Sequence, residues 1–251
     1  MTRPLNALAL GFLLLAGTAD AAPFASRAQC LAKAQELPDH TFEAALAWEK
    51  AGGGQDAQLC QAMALLFRAD YGAAADRLEA LLPNLKASPR VLAGLWQRAG
   101  LANAEADRPE RAEAAYGRAI SLDPTDPEPL VDRAILRAGA ERYWDALADL
   151  DRAAAMAPHR ADVLVLRAAA KRKLAQDAPA AADLEKALQL EPKNVEALLA
   201  RGNLKASRGD AMGARSDWLR VRELAGDTGP ARDAADNMAK LDAMEAEARK
   251  R

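Results

Sequence analysis

The stretch that decides the fold is residues 93–126, AGLWQRAGLANAEADRPERAEAAYGRAISLDPTD. The pattern of this stretch repeats every 34 residues. The clearest sign of the repeat is a proline at the same position of successive units, at Pro124, Pro158 and Pro192. The same spacing aligns small residues in three more columns: Gly100, Ala134, Ala168 and Gly202; Ala112, Ala146, Ala180 and Ala214; and Ala119, Ala153 and Ala187. A fixed period with small residues in phase predicts identical supersecondary units stacked on one another.

Each unit is predicted to contain two helices. In residues 127–160, apolar residues recur at helical spacing from Leu130 to Ala138 and again from Trp144 to Ala154. Pro158 then ends the second helix, because proline has no N–H to donate and clashes with the preceding turn. Asp126 and Asn194, which precede the first helices of two units, are predicted to cap them.

The columns resemble the tetratricopeptide repeat, which has a large residue followed by Gly or Ala, then Ala, an aromatic residue or Leu, Ala and Pro. The best copy of this signature is Trp96, Gly100, Ala112, Tyr116, Ala119 and Pro124. The resemblance implies an all-α fold. It implies an α-solenoid of stacked helix-turn-helix repeats that form a curved right-handed superhelix.

The repeat pattern divides almost the whole chain. Residues 93–228 form four regular repeats of 34 residues, and residues 22–92 form two divergent repeats that resemble them less closely. Residues 229–251 are predicted to be a C-terminal capping helix with Ala234, Met238 and Leu241 on one face. Arrays of this kind need such a helix, because their last repeat otherwise exposes an apolar surface.

The N-terminus has the features of a cleavable signal peptide in residues 1–21. Arg3 precedes an apolar run from Ala7 to Ala19, and a small-x-small pattern follows it, with cleavage expected near Ala21 and Ala22. The apolar run is shorter than the roughly 20 residues that span a membrane. A periplasmic or secreted protein is therefore expected, and an uncleaved anchor is the alternative.

The two cysteines, Cys30 and Cys60, lie at equivalent positions in the first helices of the first two repeats. In an oxidising compartment such a pair is a candidate disulfide. The alternative is two small buried residues in helix contacts. Neighbouring helix axes lie about 8–10 Å apart, whereas a disulfide requires Cα atoms within about 7 Å, so the geometry is marginal. The irregular early repeats can close this gap, and the bond is slightly favoured over the alternative.

Two charged columns are interpreted as structural. Each arginine of one column is followed by an aspartate at a constant spacing, which gives the pairs Arg133 and Asp149, Arg167 and Asp183, and Arg201 and Asp217. In the preceding repeat both positions are alanine, at Ala99 and Ala115. Because the two columns change together, the pattern predicts an ion pair between the two helices of each repeat.

Composition and motifs argue against several function classes. A net charge of −2 and the lack of a basic run with interleaved aromatics disfavour nucleic-acid binding. The two histidines, His40 and His159, have no partners at metal-ligand spacing, and no nucleophile–base constellation is present. The sequence therefore predicts no enzyme activity, no metal site and no cofactor.

The resemblance implies that a partner segment binds the concave wall formed by the first helix of each repeat. Among the positions of that wall in this sequence, those predicted to bind the partner are Val131, Ile135, Val165, Leu166, Arg172, Lys173, Leu199 and Asn203. Family members that grip a C-terminal carboxylate carry Lys and Asn where Val131 and Ile135 stand, which disfavours that form of recognition. An aliphatic strip with a basic patch at Arg172 and Lys173 is expected; alternatively, Val131, Val165 and Leu199 pack one first helix on the next.

The resemblance thus implies a non-catalytic protein–protein interaction scaffold or adaptor of the bacterial cell envelope, binding a peptide or helix segment of another protein on its concave face. An accessory subunit that positions an envelope enzyme or a secretion or assembly machine is the alternative. No stable membrane insertion is expected after signal cleavage. The partner's identity and the oligomeric state stay open at the sequence level.

Overall fold

The computed structural model describes residues 23–248, and none of them is in a β-strand. The predicted signal peptide and the last three residues of the predicted capping helix therefore lie outside the described residues. The α-helices are α1 (Arg27–Glu36), α2 (Pro38–Trp48), α3 (Gly54–Phe67), α4 (Tyr71–Leu81), α5 (Pro89–Glu105), α6 (Pro109–Leu122), α7 (Glu128–Gly139), α8 (Tyr143–Met156), α9 (Ala161–Lys173), α10 (Asp177–Leu190), α11 (Val195–Ser207), α12 (Ala211–Ala225) and α13 (Gly229–Ala248). A π-helical turn, Glu49–Gly53, follows α2, and a 3₁₀ turn, Leu82–Asn84, follows α4.

The helices form two layers. Helices α5, α7, α9, α11 and α13 contact one another in series and make up what we call the inner layer. Helices α6, α8, α10 and α12 each pack between their two neighbours in the chain. This arrangement confirms the α-solenoid that the repeat period predicts.

The helix ends follow the local sequence. Asn194 Oδ1 accepts a hydrogen bond of 2.9 Å from the backbone N–H of Ala197 and so caps α11. Asp126 Oδ1 accepts one of 3.0 Å from the N–H of Glu128, although α7 begins after Pro127. Helix α8 ends two residues before Pro158. Both residues predicted as caps therefore accept first-turn N–H groups.

The apolar core is distributed along the array, as the small columns require. The four alanines at positions 112, 146, 180 and 214 are fully buried. Leu130, Leu164 and Leu198 fill the space between successive helix pairs and are also buried. Since each unit packs only on its neighbours, the core is a continuous strip and has no single centre.

Trp144 does not belong to this core, contrary to the periodic run that includes it. Its side chain is 65% exposed. Buried Ala146, Leu147 and Leu150 define the apolar stripe of α8. Tyr143, which precedes Leu147 by four residues and Leu150 by seven, is in phase with that stripe, whereas Trp144 points about 100° away from Tyr143.

The two divergent N-terminal repeats are joined by a covalent bond. Cys30 in α1 and Cys60 in α3 form a disulfide with their Cα atoms 6.0 Å apart. Both cysteines are fully buried together with Ala45 and Ala57. The separation of the Cα atoms is within the range that a disulfide requires, and small residues surround the bond at this seam.

Helix α13 covers the end of the array. Ala231 and Ala234 are buried, and Met238 and Leu241 pack against the core formed by α9–α12. Among residues 23–248, none of the helices has the length and apolar composition that crossing a membrane requires. The apolar face of α13 is thus used for packing on the last repeat.

Candidate functional site

The residues predicted for the concave wall lie on three inner-layer helices, and they divide by exposure. Ile135 on α7 is 52% exposed, whereas Val131 on the same helix is only 5% exposed and belongs to the core. Val165 on α9 and Leu199 on α11 are half-buried against the core formed by α9–α13. The expected continuous strip is therefore wrong at Val131, because the seam between neighbouring inner helices covers that position.

Five wall residues divide between two cavities on either side of α9. Ile135, Leu166 and Lys173 line one cavity, between α7, α8 and α9. We call it the apolar cavity; its volume is about 240 Å³ and its other lining residues are Ala134, Ala138, Tyr143, Leu150, Ala169 and Ala170. Arg172 and Asn203 line the second cavity, between α9, α11, α12 and α13. The basic pair predicted at positions 172 and 173 therefore does not act as one patch.

Two residues that line the apolar cavity occupy columns in which other repeats have a glycine and an aromatic residue. In two other repeats a glycine faces an aromatic ring: a Cβ atom on Gly100 would lie 2.5 Å from Tyr116, and one on Gly202 would lie 2.6 Å from Trp218. The repeat at residues 127–160 has Ala134 and Leu150 at these positions. The next repeat has the same combination in Ala168 and Leu184. Leucine fills less space than tyrosine or tryptophan, and Ala134 and Leu150 both line the opening on the inner layer.

The rim of the apolar cavity is asymmetric. Lys173 Nζ lies 5.7 Å from the centroid of the Tyr143 ring and places a positive charge on one side. Exposed Ile135 belongs to the opposite wall, and Leu101, at the equivalent position of the preceding repeat on α5, is 41% exposed. The lining of the apolar cavity thus combines apolar side chains with the cation of Lys173.

A partly buried acidic group, Asp132, follows the wall residue Val131 on α7. Gln97 Nε2 on α5 donates a hydrogen bond of 2.7 Å to Asp132 Oδ2 on α7. Burial raises the pKa of the Asp132 carboxyl above its ordinary value, and this hydrogen bond only partly opposes the effect. Sequence reasoning missed this contact, since nothing in the repeat period pairs residue 97 with residue 132.

The structure brings the predicted Arg–Asp pairs together in three successive repeats. Asp149 Oδ1 lies 2.8 Å from Arg133 Nη2, and its side chain is 3% exposed. Asp183 Oδ1 lies 2.5 Å from Arg167 Nη2, and Asp217 Oδ1 lies 2.7 Å from Arg201 Nη2. In each pair the arginine Nε donates to the second carboxylate oxygen, so the contacts are bidentate.

Each buried aspartate also has a second cation that the sequence interpretation overlooked. Arg137, Lys171 and Lys205 lie 2.7–2.8 Å from Asp149, Asp183 and Asp217 respectively. These cations follow the first arginines by four residues and keep the same period. The spacing was therefore visible in the sequence. Two cations for each carboxylate make these groups part of the helix–helix seam and leave them no role in the exposed wall.

Within residues 23–248, no group of three or more His, Cys, Asp or Glu side chains is placed to hold a metal ion. Every predicted wall residue lies on the inner layer, and the chemistry available there is apolar contact and charge. Such a surface suits the recognition of a protein segment.

Comparisons with known proteins agree with this architecture. A family model described as tetratricopeptide repeat matches residues 99–171. One similar structure is that of MamA from Desulfovibrio magneticus RS-1. The match covers 66% of this chain and 93% of the MamA chain, with 21% sequence identity and a TM-score of 0.59. Another MamA structure covers 78% of this chain and 92% of its own, with 16% identity and a TM-score of 0.54.

A third similar structure is the hetero-tetramer of Cut9 and Hcn1 from the APC/C. It covers 86% of this chain and 42% of its own, with 12% identity and a TM-score of 0.62. No curated protein matches the chain. Residues 99–171 match the tetratricopeptide repeat, and the constant period and the paired helices continue the same pattern through the other regular repeats.

Proposed function

We propose that this chain is a non-catalytic protein–protein interaction scaffold whose inner layer binds an apolar segment of a partner protein. The apolar cavity between α7, α8 and α9 is the observation that carries this proposal. It opens beside exposed Ile135, so an entering side chain would remove apolar surface of both molecules from water. Full burial of one large apolar side chain contributes about 1.5–3 kcal/mol.

The charges around the cavity favour one direction of binding. Lys173 lies on the α9 side, and Asp132 lies on α7, next to α5. A segment with an acidic residue on the α9 side of its apolar anchor would complement Lys173. Charge complementarity of this kind contributes mainly to specificity.

Selection from a displayed peptide library on the purified protein tests this function. Ala169 is exposed and lines the apolar cavity, so Ala169→Trp is expected to fill the cavity with its own indole ring. Peptides with a large apolar anchor should be enriched on the unchanged protein and lost on Ala169→Trp. The matched control is Ala182→Trp, at an exposed position of α10 in the outer layer.

Equal enrichment on the unchanged protein, Ala169→Trp and Ala182→Trp would contradict the proposal, as would the lack of any apolar enrichment. Circular dichroism of the three proteins establishes that the variants keep their helices. A loss of binding restricted to Ala169→Trp then reports on the cavity alone.

We also propose that the protein is exported and works as an adaptor in the cell envelope. The disulfide between Cys30 and Cys60 supports this location, since such bonds persist in oxidising compartments. The apolar run before Ala22 has the composition of a signal peptide. Mass spectrometry of the protein from its source cell should find an N-terminus near Ala22, and a full-length chain in the membrane fraction would contradict cleavage.

A further inference from the structure

A separate cavity lies where the divergent repeats meet the regular ones, between the 3₁₀ turn after α4 and the helices α5 and α6. Helix α4 begins at Tyr71 and α6 at Pro109, which is four residues more than the 34 that separate α6 from α8. The 3₁₀ turn, Leu82–Asn84, lies in this longer interval, and its residues Leu82 and Pro83 line the cavity. The volume of the cavity is about 430 Å³, and we call it the junction cavity.

The walls of the junction cavity are largely apolar. Leu92 and Trp96 on α5 and Leu122 on α6 line it together with the two residues of the turn. Trp96 is buried, whereas Pro83 is exposed, so the cavity opens to solvent beside the turn. Sites for small molecules are mostly apolar concave surfaces with volumes of about 300–1,000 Å³. The junction cavity has the size and the lining of such a site.

Among the described residues that line the junction cavity, Arg118 alone carries a charge. Its guanidinium carbon lies 4.7 Å from the centroid of the Trp96 ring. Arg118 forms no ion pair with any residue between positions 23 and 248, whereas Arg111 on the same helix pairs with Asp76 and Glu79. Stacking on the indole ring holds the guanidinium group at the cavity and leaves its N–H donors available for an anion.

The junction cavity offers few partners to a peptide backbone. Ser121 is the other described lining residue with a polar side chain, and its hydroxyl donates a hydrogen bond of 2.9 Å to the carbonyl of Gly117. Peptide N–H and C=O groups that lose water need hydrogen-bond partners, whereas a hydrocarbon chain needs none. The lining therefore favours a hydrocarbon chain over a peptide segment.

From these contacts we infer that the junction cavity binds a small amphiphile, an apolar chain that ends in an anionic group. The chain buries apolar surface against Trp96 and the leucines, and the anion accepts hydrogen bonds from Arg118. A carboxylate and a phosphate both match the guanidinium fork, so a fatty acid and a single-chain alkyl phosphate share this chemistry. The inference goes beyond the peptide site proposed on the inner layer, because the junction cavity and the apolar cavity have no lining residue in common.

NMR titration of the full chain with four probes below their micelle-forming concentrations tests the inference. Octanoate and octyl phosphate should shift the Trp96 indole N–H signal saturably, and the stronger of the two identifies the source of the anionic group. Octanamide, which has the chain without the charge, should bind about fivefold more weakly or less tightly still. Acetate, which has the charge without the chain, should not shift the signal. No saturable shift with either anionic probe, or equal affinity for octanoate and octanamide, would overturn the inference.

A charge-neutral variant isolates the contribution of the cation. Arg118→Gln should weaken octanoate binding by about fivefold or more, with a larger effect at low salt. Its binding of octanamide should stay unchanged, which also shows that the cavity persists in the variant. The matched control is Arg152→Gln, at the equivalent exposed position of the next repeat on α8, and it should bind octanoate like the unchanged protein. Equal octanoate affinities in Arg118→Gln and Arg152→Gln would mean that Arg118 does not bind the anion.

Filling the cavity locates the bound probe. Ala114 on α6 is exposed and lines the junction cavity, so Ala114→Trp should abolish octanoate binding. Ala148→Trp, at the equivalent exposed position of α8, is the matched control, and circular dichroism establishes that both variants keep their helices. Ala169→Trp, which fills the apolar cavity, should leave octanoate binding unchanged. If octanoate binding is lost in Ala169→Trp and persists in Ala114→Trp, the amphiphile occupies the inner layer and this inference fails, whatever the outcome of the peptide selection.

Discussion

At the residue scale, the turns inside the repeats depend on a backbone conformation that L-residues seldom adopt. Ala175 has a φ of 57° at the turn between α9 and α10. The N–H of Ala175 bonds to the carbonyl of Arg172, and the N–H of Gln176 bonds to that of Lys171. This pair of bonds is a Schellman motif, in which glycine is the preferred residue at the left-handed position.

Ala175→Gly is therefore expected to stabilise the protein by about 0.5–1 kcal/mol. The left-handed conformation costs an L-residue about 1–2 kcal/mol, and the freer unfolded chain of glycine offsets about 0.4–1 kcal/mol of that gain. Denaturant unfolding measures the difference. Ala182→Gly within α10 is the matched control and should destabilise by about 1 kcal/mol; a loss of stability in both variants would contradict the strain at Ala175.

One column of residues with left-handed backbone conformation was not predicted from the sequence. Asp107, Glu141, Ala175 and Gly209 all have positive φ and follow one another at intervals of one repeat. Glycine favours this conformation and aspartate tolerates it, whereas Glu141 and Ala175 are of types that do not, so residue identity did not reveal the column. The helix–turn geometry imposes the conformation whatever residue occupies the position.

Asp132 gives a prediction about pH. Because burial raises the pKa of its carboxyl, ionisation costs folding free energy above that pKa. Asp132→Asn keeps an acceptor for Gln97 and removes the charge, so its melting temperature should exceed that of the unchanged protein at pH 7. The gain should shrink as the pH falls through the raised pKa and vanish near the ordinary value of about 3.9.

Thermal melting between pH 7.5 and pH 3.5 measures this dependence. Asp233→Asn on the exposed side of α13 is the control for a general effect of removing one negative charge. A gain of equal size at every pH, or the same gain in Asp233→Asn, would show that burial of the Asp132 charge is not the cause.

At the element scale, the two helices of a repeat are joined by a buried carboxylate with two cations. Asp183 on α10 is 7% exposed and binds both Arg167 and Lys171 on α9. Arg167→Ala should destabilise by about 1–3 kcal/mol, because Asp183 loses its bidentate partner in a desolvated seam. Lys171 remains to neutralise the charge, which favours the lower half of that range.

A double-mutant cycle with Asp183→Ala isolates the pair. The combined variant should cost less than the sum of the single variants by about 0.5–3 kcal/mol. The repeat at residues 93–126 already has this combination in Ala99 and Ala115, which are both buried. Strict additivity of the two substitutions in denaturant unfolding would contradict an energetic coupling between Arg167 and Asp183.

The elements themselves were largely predictable, and the site only in part. The helices of residues 93–228 could be predicted from the 34-residue period, the recurring proline and the columns of small residues. This was possible because helix ends and helix packing in a repeat array depend on interactions within one repeat or between neighbouring repeats. Val131 was misplaced because its burial depends on how closely α5, α7 and α9 approach, which no local pattern specifies. The sequence did not single out the apolar cavity, since Ala134 with Leu150 departs from the pairing of Gly100 with Tyr116 but Ala168 with Leu184 does so equally.

At the scale of the whole molecule, stability in a solenoid is a sum over repeats and their interfaces. Local changes should therefore have local consequences. The disulfide between Cys30 and Cys60 closes a loop with a sequence separation of 30 residues, and it lies entirely within the first two repeats. The later repeats are joined to these by noncovalent packing of α4 on α5.

Reduction of the disulfide should thus destabilise one end of the array and leave the other unchanged. The chain-entropy model assigns a loop of this length about 3–4 kcal/mol, which corresponds to a rise of roughly a hundredfold or more in amide exchange through local opening. Hydrogen exchange after reduction should show this rise in α1–α4 and unchanged protection in α9–α12. The variant Cys30→Ala with Cys60→Ala should show the same fast exchange without reductant and no response to it. Uniform loss of protection across all repeats would mean that the molecule unfolds as a single cooperative unit.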